Sequence, residues 1–203
     1  MKESADRYSY HDPFNEYTLK NGVLRNLAQI EDEKVLQLFE SFKVSKRLEE
    51  LFADPITIAD SSALLKIHYH LFQDVYAWAG KVRTVNISKN GKPFFEGERF
   101  QMGFRYIDAL LAEYNSVKPG ERSEIAQKLA EILDNVNFMH PFREGNGRTQ
   151  REFIRTLALQ KGYSLNLNPP DNESVYSRYM KGTIQSDVNL LMNLILDELK
   201  IAN

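Results

Sequence analysis

Apolar residues recur at helical spacing in segment after segment of this 203-residue chain. From Asp32 to about Phe52, Val35, Leu36, Leu38, Phe39 and Phe42 keep that spacing, and Pro55 closes the segment. Asp60 or Ser61 is placed to cap the next helix. There Leu64, Ile67, His68, Leu71, Phe72 and Val75 form one stripe ending near Ala79-Gly80. Further helices are predicted from about Phe100 to Asn115 and from about Ser123 to Phe138, where Ile125, Leu129, Ile132, Leu133 and Val136 share a face. Another begins near Gly147 and ends at Gly162, and two more cover roughly 173–181 and 186–201.

The period changes once. Thr84-Val85-Asn86-Ile87-Ser88 alternates, Asn90-Gly91 is a hairpin turn signal, and Pro93-Phe94-Phe95 supplies the returning arm. This is the one β element the pattern predicts. Residues 1–30 carry little periodicity and are rich in Tyr, Asp, Asn and Gly, so they read as an arm laid over the domain, with Val23 to Leu27 able to dock on its core. Residues 31–203 form the domain proper. The expected fold class is all-α, a single globular unit with one short hairpin.

Composition narrows the chemistry. With no cysteine, disulfides, thiolate metal sites and a cysteine nucleophile are excluded, and four histidines (His11, His68, His70 and His140) argue against a multi-histidine metal site. Lys and Arg total 26 against 28 for Asp and Glu, a formal charge of −2, so no basic excess points to nucleic acid. No apolar run approaches the ~18 residues that span a bilayer, and Met1 to Arg7 lacks a signal-peptide stretch. The expectation is a soluble protein made in a cytosol, with no membrane partner.

One segment concentrates reactive side chains: His140-Pro141-Phe142-Arg143-Glu144-Gly145-Asn146-Gly147-Arg148-Thr149-Gln150-Arg151. It lies between two strong helical patterns and is therefore a loop running into a helix N-terminus. Gly-Asn-Gly permits positive φ and close backbone approach to an anion, and its N–H groups merge with the positive end of the following helix. Arg148 and Arg151 lie one turn apart on one helical face, where both can fork onto phosphate oxygens. Glu144 suits Mg²⁺, which takes one or two carboxylates beside phosphate oxygens and water. His140, with an ordinary pKa near ~6.5, can accept a hydroxyl proton. Taken singly, each feature has a bland reading as a turn, a helix cap or a solvated face. Eight specified positions coincide by chance at roughly 10⁻¹⁰ per site, so the combination is specific.

The segment resembles the Fic signature, His-x-Phe-x-(Asp/Glu)-Gly-Asn-Gly-Arg-x-x-Arg, at every defined position. Leu71 to Arg83 is similar to the helix and turn that lead into the family's flap hairpin, and Asn21 to Asn26 to its N-terminal segment, so the resemblance covers nearly the whole chain. It points toward the bacterial toxins and type IV secretion effectors of that family, Bartonella effectors among them.

The resemblance implies a Fic-type helical bundle with a β-hairpin flap, and a protein adenylyltransferase that moves AMP from ATP to a Ser, Thr or Tyr hydroxyl of a target protein. It implies His140 as general base, Glu144 as the Mg²⁺ ligand, and Gly145, Asn146 and Gly147 as the anion hole. Arg148 and Arg151 take the outer phosphates, Arg143 joins the nucleotide-binding set, and Phe142 is a buried anchor. The flap, here Val85, Asn86, Ile87, Ser88, Lys89, Lys92 and Glu96, would register the target backbone by strand pairing. Its lysines either read partner charge or are ordinary turn lysines. The family's inhibitory pattern, (Ser/Thr)-x-x-x-Glu-(Gly/Asn), has its nearest match at Ser45 to Glu49, where Glu50 follows in place of Gly or Asn. That match does not qualify, which leaves a small antitoxin-like protein in trans or no restraint at all. The implied place of action is the bacterial cytosol or, after secretion, a host cell. Rival readings within the family are transfer of UMP, phosphocholine or phosphate, and a non-catalytic adaptor. Retention of Gly147 argues against the kinase branch, which carries lysine there.

Overall fold

A computed structural model describes residues 8–10, 16–89 and 91–202. Asn90 and much of the N-terminal arm lie outside the described residues, as does His11, and for 8–10, 89 and 92 only the backbone is described.

Helix α4 (Arg122–Met139) is the axis of the fold. Its Ile125, Leu129, Ile132 and Leu133 are fully buried. It packs against α3 (Phe100–Ser116) on one side, α5 (Asn146–Gln160) on another and α7 (Val188–Glu198) on a third. Helix α2 (Ala63–Phe72) lies on α5 and carries α1 (Glu33–Ala53) outside it, while α6 (Glu173–Gln185) covers α7. Each fully buried Leu, Ile or Phe contributes about 1.5–3 kcal/mol relative to an exposed one. Those contributions converge on α4, so both its C-terminus and the start of α5 leave a well-anchored core. The six-residue stretch between them is held at both ends.

Local chemistry sets the boundaries. Asp32 caps α1 by accepting from the Val35 N–H at 3.0 Å, and Asp187 caps α7 in the same way from Leu190. Ser62, rather than Asp60 or Ser61, precedes α2, with the Asp60 carboxylate accepting from its N–H at 2.8 Å. That helix stops at Phe72, earlier than its apolar stripe suggested, and Val75 packs in the core from a turn.

Three expectations are corrected. Val35, Leu38 and Phe42 are exposed, and α1 instead buries Leu36, Val44 and Leu51. The helix carries two overlapping apolar stripes, and periodicity alone does not say which one meets α2. The hairpin's first strand, β2, is Ile87–Lys89 rather than Thr84 to Ser88, and pairs antiparallel with β3 (Lys92–Pro93). The hairpin is also not the only β structure. A strand from the arm, β1 (Tyr8–Tyr10), adds to the outer edge of β2, giving the order β1-β2-β3. A second small sheet pairs β4 (Tyr163–Ser164) with β5 (Lys200–Ile201) and ties the chain's end to the end of α5.

Between the arm and the core, Tyr17 and Val23 are buried and a bridge joins Thr18 to Leu24. Leu27 is exposed, although its N–H reaches the Val75 carbonyl at 2.8 Å. No helix among the described residues is long and apolar enough to cross a membrane.

Candidate active site

His140 follows the last residue of α4 in the left-handed region, φ 45° and ψ 58°. Its N–H still bonds the Val136 carbonyl at 3.1 Å, so the candidate base is also the helix cap. The imidazole Nδ1 lies 3.0 Å from the Asn137 carbonyl oxygen. A carbonyl only accepts, so Nδ1 carries a proton, and in the neutral ring Nε2 is the nitrogen with the lone pair. The ring of Phe94, next to β3, stacks on the imidazole at 3.9 Å between centroids.

The loop then turns sharply. Phe142 is buried and stacks on His68 at 3.8 Å. The Asn146 side chain closes the turn by accepting from the Phe142 N–H at 2.9 Å and donating to the Phe142 carbonyl at 2.7 Å. Asn146 is therefore an internal brace, buried and not among the residues that line the cleft. Gly145 has φ +83°, and a Cβ there would sit 2.3 Å from the Phe72 ring, so backbone and space both demand glycine. Gly147 is already helical; a Cβ on it would approach the Arg151 guanidinium to 3.3 Å.

Glu144, Gly145, Gly147, Arg148 and Arg151 line, together with His140, a cleft of about 830 Å³ roofed by Phe94 and walled by Tyr176, Tyr179 and Met180 from α6. The Glu144 carboxylate accepts from the Gly145 N–H at 2.8 Å and sits beside the positive end of α5. It is a half-exposed carboxylate in the cleft, and the described residues hold no cluster of three acidic or histidine ligands. One carboxylate beside an anion cradle fits a cation that draws its other ligands from phosphate and water.

The two arginines are held differently. Arg148 pairs with Glu40 of α1 at 2.6 Å and with Glu144 at 3.4 Å, and lies over the Phe72 ring at 4.7 Å. Arg151 lies over the rings of Tyr176 and Tyr179, at 5.4 and 5.3 Å, and pairs with no carboxylate among the described residues. Burial pushes the Tyr179 hydroxyl up, so it stays protonated beside Gln150 and Arg151. Arg143 is buried and does not line the cleft, which separates its side chain from the remainder of the expected phosphate set.

The flap positions are largely occupied from within. Val85 and Ile87 are buried against Tyr17. The Asn86 carboxamide accepts from the Gly97 N–H at 3.1 Å. Ser88 lies between Ser9 and Pro93 in the sheet. Strand β2 is paired on both sides, by β1 and β3, so the outer strands of this sheet are β1 and β3, and the β3 side borders the cleft through Pro93 and Phe94. Glu96 is exposed, 3.9 Å from Arg99.

Two residues outside the expected set support the site. His68 is fully buried in α2; the Gly80 N–H donates to its Nδ1 at 2.8 Å, so its Nε2–H donates to the Glu144 carbonyl at 3.0 Å. Glu40 accepts from the Tyr76 hydroxyl as well as from Arg148. Burial first, and the Glu40 charge second, hold that phenol protonated. A signal for His68 lay in the pattern, as a polar residue on the core-facing stripe of α2 that needs a partner, whereas Glu40 lies on the face of α1 that only packing against α2 selects.

This geometry has relatives. The Fic/DOC family model matches residues 58–158. Protein adenylyltransferase VbhT of Bartonella schoenbuchensis is 36% identical over 156 residues, which is 76% of this chain and 32% of VbhT. The chain thus spans about a third of that relative. A Sinorhizobium fredii protein named "Probable protein adenylyltransferase y4lH" is 38% identical over 145 residues, 70% of this chain and 74% of that protein. Among solved structures, BepC of Bartonella tribocorum with bound AMPPNP shares the fold at a TM-score of 0.83 and 22% identity, over 95% of this chain and 100% of that one. The type IV secretion effector BepA gives a TM-score of 0.76 at 27% identity, over 91% of this chain and 68% of that one. With this fold, an unbroken signature from His140 to Arg151, and a relative matched over most of its length, the chain belongs to the Fic/DOC family.

Proposed function

We propose that this chain transfers AMP from ATP to a Ser, Thr or Tyr hydroxyl of a protein. The observation that carries the reading is the Asn137–His140 hydrogen bond, which leaves Nε2 as a proton acceptor in the same cleft as a helix N-terminus and two arginines. The target hydroxyl gives its proton to Nε2 while its oxygen bonds the α-phosphorus. The α–β bridging bond breaks and pyrophosphate leaves. Charge builds on the phosphoryl oxygens, where the N–H groups opening α5 and the guanidinium groups of Arg148 and Arg151, which line the same cleft, would stabilise it. Glu144 would hold Mg²⁺, which supplies charge neutralisation to the phosphates. Arg148 must then exchange part of its bond to Glu40 or Glu144 for phosphate. Arg151 gives up contacts with the Tyr176 and Tyr179 rings and with the Tyr179 hydroxyl, and no carboxylate among the described residues.

The names of the relatives support this donor and acceptor class, and BepC was solved with an ATP analogue. The effector names of the structural neighbours fit action in a bacterial cytosol or in a host cell after secretion. A small protein inserting a glutamate against Arg151 would block outer-phosphate placement electrostatically, and such a regulator in trans suits a chain without the inhibitory pattern.

The test is incubation with α-³²P-ATP, Mg²⁺ and a cell lysate beside His140→Ala. Label on a protein band from the wild type alone is expected, and γ-³²P-ATP should leave that band dark. A band labelled only from the γ position would make the chain a kinase. Absence of label from either, with a target-independent donor screen also negative, would reduce the chain to a binding module.

A further inference from the structure

Arg83 is 2% exposed and faces no carboxylate among the described residues, yet every arm of its guanidinium is used. Nε–H donates to the His140 carbonyl at 2.9 Å, Nη1 to the Val85 carbonyl at 2.6 Å, and Nη2 to the Phe95 carbonyl. Its backbone N–H donates to the Pro141 carbonyl at 2.8 Å, and its charge lies over the Phe100 ring at 4.8 Å. Burying a cation costs several kcal/mol unless its donors are satisfied. Here they are satisfied by carbonyls from three separate places: the general-base turn, the segment that leads into β2 and the segment that follows β3. Burial pulls the group down to about 10, still well above neutral pH, so the fork remains charged and fully donating. A lysine could not span three carbonyls, because its ammonium is a point rather than a planar fork.

We infer that Arg83 is a positioning residue that locks the flap and the His140 turn into one unit, so that a target docked on the flap finds Nε2 at a fixed distance. Two features make the lock consequential. His140 holds a left-handed backbone that costs a residue with a β-carbon about 1–2 kcal/mol, and its carbonyl is the one Arg83 grips. The Phe95 N–H also bonds the Phe138 carbonyl at 3.2 Å, so the returning arm touches the base's own helix beside the guanidinium. The inference rests on the proposed roles of His140 and the flap.

The experiment compares the full chain with Arg83→Lys and Arg83→Gln, and with Tyr114→Phe as a destabilised control that loses a buried hydrogen bond to Leu157 far from the site. Amide hydrogen exchange is read at 84–97 and 138–146, AMPPNP affinity by calorimetry, and label transfer as above. In Arg83→Lys, exchange should rise about tenfold in both segments together. AMPPNP affinity should stay within about threefold, while transfer falls about 10²-fold through turnover rather than nucleotide KM. Tyr114→Phe should lower Tm without loosening either segment. Exchange rising in one segment alone, or in neither, overturns the inference even if the wild type is active. A wild type silent in transfer would remove the functional reading and leave the exchange data to decide the coupling. If neither Arg83 variant folds, denaturant-dependent exchange of the wild type decides: a common opening of the two segments is expected, and separate openings would overturn the lock.

Discussion

The His68 imidazole donates its Nε2–H to the Glu144 carbonyl at 3.0 Å, across 76 residues of sequence. The two bonds of the ring coexist only while it is neutral, because the Gly80 N–H donates to the lone pair that a proton on Nδ1 would take. Burial pushes His68 down to about 3, with the nearby Arg148 charge acting the same way.

A pH dependence of stability follows. Unfolded His68 takes a proton below about 6.5, whereas folded His68 does not until about 3. Over that window the unfolded state binds more protons, so stability falls as pH falls. The contribution lost at pH 5 is about 2 kcal/mol. Urea melts of wild type and His68→Gln at pH 7.5 and pH 5 should show a steeper acid loss in the wild type. Equal slopes would contradict the assignment.

Gly145→Ala should damage the site and the fold together. The left-handed backbone costs about 1–2 kcal/mol, and the methyl group must displace the Phe72 ring that carries Arg148. A fall in Tm with loss of AMPPNP binding is expected. Gly120→Ala, where the added Cβ meets open space, should leave both nearly unchanged.

The two motif arginines should separate by stability. Arg151→Ala should weaken AMPPNP by about 1.5–3 kcal/mol with a small change in Tm, since the side chain meets two ring faces and the Tyr179 hydroxyl, and no carboxylate among the described residues. Arg148→Ala should also lose about 2 kcal/mol of stability, because it strips the cation from mostly buried Glu40. Thermal melts alongside calorimetry separate the two effects, and Arg151→Lys should not restore bidentate binding.

Glu144→Gln keeps the shape and removes the charge. If Glu144 holds the metal, the Mg²⁺ concentration needed for half-maximal transfer should rise about 10–100-fold. Binding of AMPPNP without Mg²⁺ should be unchanged or stronger, since one negative charge leaves the cradle. A Mg²⁺ requirement unmoved by the substitution would assign the metal elsewhere.

The chain of residues determined a good deal by itself. Helical periodicity located the helices, because each is set by contacts over one or two turns, although α2 ends at Phe72 where the apolar stripe ran on to about Ala79. The run from His140 to Arg151 pointed to the chemistry proposed for it because a phosphate cradle needs glycine, a helix start and cations at short, fixed spacing. Tertiary packing decided the rest. Which of two apolar stripes of α1 turns inward depends on α2, and that choice brings Glu40 to Arg148. The tautomer of His68, the grip of Arg83 on His140 across 57 residues, and the cover that β1 lays on the flap are likewise bonds between distant segments. A buried polar group takes whatever partner the fold carries to it. Its need can be read from a core-facing position in the sequence, but the partner exists only once the helices have packed.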